Sequence, residues 1–262
     1  MDLFRRWGRK SIISYKALFG VLSLRGYLLI KMIGPVLHLV FFALVAKYAY
    51  QTDDLSPWII GNAMILTYFN ALFGVGAQMF SERSIGTLKV LLATPSSGLG
   101  VFLPRAILHT LDGVLSISFG LLAGMVLFGF SMPVDQVPLF YLNILIGSFA
   151  AMCFGLLISS MGLLTRDLNM ILNVASMTLL TFTGANIHID KLPTFLQALP
   201  WWLPLTRSIA AGRLIHGGAS FGQVQGLLVG ELAMALAFAI GGYVLFKGIE
   251  RLSIRLGTLD VY

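Results

Sequence analysis

Arg105, His109 and Asp112 stand four and three positions apart, a spacing that puts all three on one face of a helix. A guanidinium, an imidazole and a carboxylate in that order can neutralise one another, or pass a proton, inside an otherwise apolar segment. Two uses stay open for them: an ion-paired packing cluster, which avoids burying any one charge alone, and part of a gate. A further reading makes His109 and Asp112 the acid–base pair of a polytopic membrane enzyme acting on lipid, but no second convergent polar cluster accompanies them. Glu231 is another carboxylate set in an apolar run, and its expected partner is a polar group on a neighbouring helix or on the broken segment before it. Other chemistry is sparse. The sequence holds no G-x-x-x-x-G-K-[ST] phosphate loop, no H-E-x-x-H, no C-x-x-C and no G-x-S-x-G. Cys153 is the single cysteine, so no disulfide can form within the chain. The expectation is a chain with no catalytic or metal-binding residues of its own, dependent on a separate polypeptide for any work done by ATP.

The elements that must position these residues are membrane helices. Hydrophobic residues make up 57% of the 262, charged residues only 11%, and the mean hydropathy is +0.87; that leaves too little polar surface to cover a soluble globule. Six candidate spans can be drawn, at 27–50, 58–80, 102–130, 138–164, 168–187 and 224–246, each near or above the ~20 residues a helix needs to cross the hydrocarbon. Gly120 and Gly124 in the third, and Gly155, Ser159 and Ser160 in the fourth, read as sites of close helix packing. Lys31 and Lys47 lie near span ends, from which they can snorkel to opposite interfaces.

The net charge of +7 is a topology signal. With both termini in the cytoplasm, all but four of the 18 basic residues fall on the inner side, the exceptions being Lys47, Lys191, Arg207 and Arg213. Nucleic acid is not an expected partner, because the basic residues flank spans and no soluble domain exists to carry a binding face. Residues 1–26 are expected to form an interfacial helix, with Phe4, Trp7, Leu18 and Leu22 on one face and Arg5, Arg9 and Lys16 across from it. They do not have the short apolar core and small-residue cleavage site of a signal peptide.

Two segments outside the spans carry motifs. Residues 81–95, SERSIGTLKVLLATP, put charge, glycine and a proline stop between two apolar spans. As a surface helix, this stretch would turn Leu88, Leu91 and Leu92 toward the membrane and leave Glu82, Arg83 and Lys89 in water, where a soluble partner can push on it. The second segment, 183–218, is too broken to cross: Pro193, Pro200 and Pro204 punctuate it, and Trp201 and Trp202 suit an interface. It reads as short helices dipping into the outer leaflet as a lid, with their free backbone groups buried in protein or facing water.

The order Glu82-Arg83, Gly86-Thr87-Leu88 and Leu91-Leu92-x-x-Pro95 resembles the cytoplasmic loop of the ABC-2 family of ATP-driven export permeases. The second segment is similar to the same family's pattern of an outward glycine, Leu-Pro, an apolar stretch, Pro-Leu and a basic residue before the final span. Gly184, Leu192, Pro193, Leu203, Pro204, Leu205 and Arg213 occupy those places. The chain departs from the family at Lys89, where Glu often follows Gly-Thr-Leu, and in the polar run 185–191 before Leu-Pro.

The resemblance implies an all-α polytopic fold in a single transmembrane domain, 1–262: six spans, the interfacial helix 1–26, a cytoplasmic coupling element 81–97 and an outer re-entrant segment 184–218. It implies the permease subunit of an ATP-driven ABC exporter, multi-pass in the cell membrane and most similar to the drug, antibiotic and peptide branch. The polysaccharide or glycolipid branch is the alternative within the same fold. Two cytoplasmic ATPase subunits carrying ATP and Mg, a second permease copy or paralogue and membrane lipid are the implied partners. Glu82, Arg83, Gly86, Thr87, Leu88, Lys89 and Pro95 would couple to the ATPase; Gly184, Leu192, Pro193, Pro204 and Arg213 would form the lid. Tyr68, Phe69 and Phe73 in the second span and Phe182 in the fifth have two readings, a path for an amphiphile or sugar and ordinary lipid-facing aromatics.

Overall fold

The computed structural model describes residues 24–76, 86, 99–161 and 167–256, with side chains placed at 33–76, 86, 109–161, 167–249 and 251. The expected interfacial helix 1–26 lies outside the described residues up to Leu24, and the coupling element 81–97 does so except for Gly86. All regular structure among the described residues is helical. The long elements are α1 (Leu24–Tyr50), α2 (Ser56–Ile65), which runs through the short α3 (Thr67–Phe69) into a π-helical segment (Asn70–Gly76), α4 (Leu99–Phe128), α5 (Val137–Met161), α6 (Leu168–Phe182), α7 (Thr206–His216) and α8 (Phe221–Leu256).

Five helical stretches, Ile33–Tyr50, Ser56–Gly76, His109–Phe128, Val134–Met161 and Phe221–Ile249, are long and apolar enough to cross a membrane. The chain is therefore a multi-pass membrane protein. The expected fifth span, 168–187, comes out shorter: α6 has 15 residues, roughly 22 Å at the usual helical rise against the ~30 Å of a hydrocarbon core. Its end is built locally. The Thr183 hydroxyl turns back to the Leu179 carbonyl at 2.7 Å, and the Asn186 amide donates to the Leu180 carbonyl at 3.2 Å. Between them Gly184 takes φ +82, a conformation that stops the helix and suits a residue without Cβ. The second expected span also changes character: beyond Phe69 it winds as a π-helix to Gly76.

Small residues let the helices close on one another, which matters in lipid because packing rather than water exclusion drives helix association. Along α4, Gly113 meets Thr67, Gly120 meets Ala63 and Leu66, and Gly124 meets Ile59. On α5, Gly155 lies directly against the Ala71 carbonyl of the π segment. The α5–α8 pair continues the theme. Gly242 packs on the backbone of Leu157, the Ser160 hydroxyl donates to the Gly242 carbonyl at 3.1 Å, and the Phe154 and Phe238 rings meet edge-on with centroids 5.2 Å apart. The second span is the most enclosed element: Ile59, Ile60, Ala63, Met64 and Ile65 are all 1% exposed or less. By contrast α1 presents Ile33, Leu37, Phe41 and Tyr48 outward, as a lipid-facing or partner-facing helix does.

Lys47 stays at the span end as expected, half-exposed and 3.5 Å from Asp53. At the same end, residues 184–216 form a cap of three short 3-10 turns, Ile189–Lys191, Thr194–Leu196 and Leu199–Trp202, followed by α7. Phe195 and Trp202 on these turns are exposed, at 80% and 70%, which suits the headgroup layer.

Candidate functional site: a clamped cap and a polar seam beneath it

The cap is held by two polar side chains, Arg213 and Glu231, each reaching backbone. Arg213, on α7, donates from Nε to the Pro57 carbonyl at 3.0 Å and from Nη2 to the carbonyls of Gly184 and Ala185 at 2.7 and 3.2 Å. One guanidinium thus ties α7 to the start of the second span and to the turn after α6, using the planar fork that lysine lacks. Gly61 makes room for the joint: a Cβ there would stand 2.8 Å from the Ala185 carbonyl oxygen and 3.2 Å from Arg213 Nη2. Burial pushes the Arg213 guanidinium down to about 10, with Asp190 and Tyr50 opposing that shift, so the clamp is charged at neutral pH.

Beside the clamp, Tyr50, Trp58 and His188 form an aromatic corner, with Tyr50 and Trp58 centroids 4.9 Å apart and the Trp58 and His188 rings perpendicular at 5.5 Å. The Tyr50 hydroxyl and Trp58 Nε1 both donate to the Asn186 carbonyl, at 3.4 and 3.3 Å. Burial, and then the nearby Arg213 charge, lower the affinity of His188 for a proton.

Glu231 supplies the second anchor from α8. It is fully buried, and its Oε1 accepts from the Leu205 N–H at 2.6 Å. Leu205 precedes the first residue of α7 at φ +71, a left-handed conformation unusual for a residue with a Cβ. Its acceptor oxygen therefore sits at the start of α7, where backbone N–H groups lack helical partners. The Asn143 amide, from α5, donates to the Ser208 carbonyl one turn on at 2.9 Å.

The lid residues of the sequence reading separate into two groups. Gly184 and Arg213 meet in the clamp, and Pro204 is buried immediately before Leu205. Leu192 and Pro193 belong to the outer turns, where the Gln197 amide braces the Leu192 carbonyl at 2.9 Å.

His109 and Asp112 face the interior, each 3% exposed. Arg105 lies on the same helix with its side chain outside the described residues. His109 lies over Gly74 of the π segment, where a Cβ would come within 3.0 Å of the imidazole ring. One turn along, the Asn70 amide donates to Ser116 Oγ and the Ser116 hydroxyl to the Asp112 carbonyl, both at 3.1 Å. A polar seam thus joins α4 to the π segment. Asn70, Ser116 and Asn143 were not singled out in the sequence, where single Asn and Ser residues in apolar runs look alike whether they bridge helices or not.

The four aromatics divide as well. Tyr68 is buried, whereas Phe69 and Phe73 are 46% and 42% exposed and lie side by side with centroids 5.8 Å apart. Phe182 is half-buried at the end of α6 and packs on the core. Of the coupling residues, Gly86 is described at φ +82, exposed, with open space where a Cβ would stand. Glu82, Arg83, Thr87, Leu88, Lys89 and Pro95 lie outside the described residues.

Comparison with known proteins gives the family. Residues 16–215 match the model of the ABC-2 type transporter family. Among curated proteins, the chain is similar to the probable multidrug ABC transporter permease YbhR of Escherichia coli K12, and equally to that of Escherichia coli O157:H7. Identity is 25% over 168 residues in both, covering 62% of this chain and 44% of each relative. The match thus spans under half the length of those proteins. With the family model covering most of its length, and with apolar helices long enough to cross a membrane, the chain belongs to the ABC-2 type transporter family.

Proposed function

We propose that this chain is the membrane-spanning permease subunit of an ATP-driven exporter that moves an amphiphilic, drug-like, peptide or lipid-linked compound out of the cytoplasm or the inner leaflet. The observation that carries the reading is the family match over 16–215, in a sequence that holds no phosphate loop to bind ATP itself. The name of the Escherichia coli relatives supports a multidrug-type cargo. The outward faces suit a compound with both apolar and polar parts: Phe69 and Phe73 stand beside α6, which presents Met170, Val174 and Met177 together with Asn169, Asn173 and Thr181.

In this reading two cytoplasmic ATPase subunits bind ATP and Mg, and a second copy or paralogue of the permease completes the transporter. Nucleotide-driven closure pushes the element 81–97 through Glu82, Arg83, Gly86, Thr87, Leu88, Lys89 and Pro95. The spans tilt, and cargo leaves past the cap. ATP does work on the permease only where its two nucleotide states favour different packings of the spans, so contacts at 81–97 must change with nucleotide.

Purification with the candidate ATPase tests the reading. The complex in vesicles should hydrolyse ATP and move ethidium, an amphiphilic cation, against its gradient, while the permease alone and a complex with a catalytically dead ATPase should do neither. Robust hydrolysis by the permease alone, or failure to associate with any phosphate-loop ATPase, would overturn it.

A further inference from the structure

A buried carboxylate and a strained backbone meet at one place in the molecule. Glu231 lies about a third of the way along the membrane part of α8, Phe221–Ile249, and has no exposed surface. A carboxylate is costly there, and replacing it by leucine would remove that cost, so its presence calls for a role. Its Oε1 holds the Leu205 N–H at 2.6 Å, and the N–H groups of Arg207 and Ser208 in the first turn of α7 also face it. Leu205 itself stands at φ +71. A branched side chain leaves the left-handed region unless its surroundings over-determine it, and such residues collect at moving parts.

The surroundings are unusually polar for a membrane interior. Glu231 Oε2, Thr206 Oγ1, Ser208 Oγ, Asn143 Oδ1 and Ser148 Oγ are buried without a hydrogen-bond partner. Ser208 Oγ lies where a Cβ on Gly147 would be 2.7 Å away. The α5–α8 pairings of Phe154 with Phe238 and Ser160 with Gly242 put Gly147 and Ser148 level with Glu231. The start of α7 is therefore held by the Glu231 carboxyl and by Asn143 on the Ser208 carbonyl, in a pocket with spare polar capacity, while Leu205 and Ile209 pack into the apolar core. Two turns further on, α7 carries Arg213 and the clamp on Pro57, Gly184 and Ala185.

We propose that Glu231 is a positioning residue for transport: by accepting from Leu205 it holds that residue left-handed and sets the direction of α7, so that the last span and the second span grip the cap together. Releasing this bond lets Leu205 relax, turns α7 and disengages Arg213. Movement of the last span against the second is thereby converted into opening of the cap. The role is that of an acceptor oxygen, not of a charge. The inference rests on the permease reading for its functional half and on the geometry around Glu231 and Leu205 for its structural half.

The test compares Glu231→Gln, which keeps an acceptor oxygen, with Glu231→Leu, which removes it, in the permease–ATPase complex in lipid nanodiscs and vesicles. Amide hydrogen exchange over residues 199–216 gives the structural readout, and ethidium moved per ATP hydrolysed gives the functional one. Glu231→Leu should raise exchange about tenfold and lower transport per ATP by a similar factor, the size of one buried hydrogen bond, with ATP hydrolysis within about twofold of wild type. Glu231→Gln should stay within about twofold on every measure. Leu205→Val, whose β-branched side chain opposes the left-handed conformation, should reproduce the loss from the other side of the bond, and it decides the matter should Glu231→Leu fail to assemble. Glu231→Gln as defective as Glu231→Leu, or exchange unchanged in both Glu231→Leu and Leu205→Val, would overturn the proposal. Absence of ethidium movement in the wild-type complex would count against the permease reading instead, and the exchange arm would still decide the role of Glu231.

Discussion

Removing the Arg213 guanidinium should loosen the cap by an amount that follows from its three hydrogen bonds. Arg213→Met keeps most of the side-chain length and abolishes the bonds to Pro57, Gly184 and Ala185. The site is partly buried and near water, so each bond is given the low value of ~1 kcal/mol, and the set comes to roughly 3 kcal/mol. That corresponds to about a hundredfold rise in the equilibrium for lifting the cap from the second span. Arg213→Lys, with a single ammonium that reaches one of the three acceptors, should recover about a third of that free energy. The assay is amide hydrogen exchange over residues 184–205 in nanodiscs, with the α5–α8 core as internal control. The expected order is wild type, Arg213→Lys, Arg213→Met, with the core unchanged. Exchange in Arg213→Met within about threefold of wild type would show that apolar packing holds the cap and that the three bonds exchange freely with water.

Two further outcomes follow from the same joint. Gly61→Ala places a methyl 2.8 Å from the Ala185 carbonyl oxygen; overpacking of this kind costs ~1–3 kcal/mol, so the cap should lift more readily, whereas Gly34→Ala, with open space around it, should not change cap exchange. His188 titrates below its ordinary value of 6.5 because burial and Arg213 disfavour its cation. The unfolded or lifted cap then binds more protons than the closed one, so closure is fully favoured above 6.5 and weakens as pH falls from there through the lowered value. Hydrogen exchange over 184–205 should rise on acidification in wild type and lose that dependence in His188→Asn; a pH response equal in both would place the titrating group elsewhere.

Much of the architecture was legible because apolar length is a strong signal. The expected limits of the first and third spans fall within three residues of α1 and α4 at every end. The expected fifth span runs five residues past α6, because Ala185 and Ile187 carry an apolar reading beyond the point where the backbone stops: Gly184 and the back-bonding of Thr183 and Asn186 end α6 at Phe182. In the cap, Gly184 and Arg213 stood out by type, yet their joining through backbone carbonyls could not be read. A carbonyl acceptor has no residue identity. The same holds for Glu231, whose partner is an N–H 26 positions away. Arg105, His109 and Asp112 share a face by their spacing, and the structure adds what spacing on one helix does not carry: Gly74 of the second span lies under His109 and Asn70 reaches Ser116 one turn along. Helical spacing reports neighbours on one helix and is silent about what the next helix brings.

The π segment changes how the rest of the second span is to be read. An α-helix closes each ring from residue i to i+4 and a π-helix from i to i+5, so the winding at 70–76 accommodates a residue beyond what a straight α-helix would hold. Each residue of an α-helix turns the chain by about 100°, so a helical wheel drawn continuously from Ser56 is out of phase by roughly that angle once the segment has been passed. Deleting one residue within 70–76 would let the segment wind as a straight α-helix and leave the direction at Gly76 where it is, whereas the same deletion in the α-helical part before Phe69 would turn that direction by roughly 100°. The direction in which the second span stands at Gly76 is thus set by how residues 70–76 wind, and not by the residue types alone.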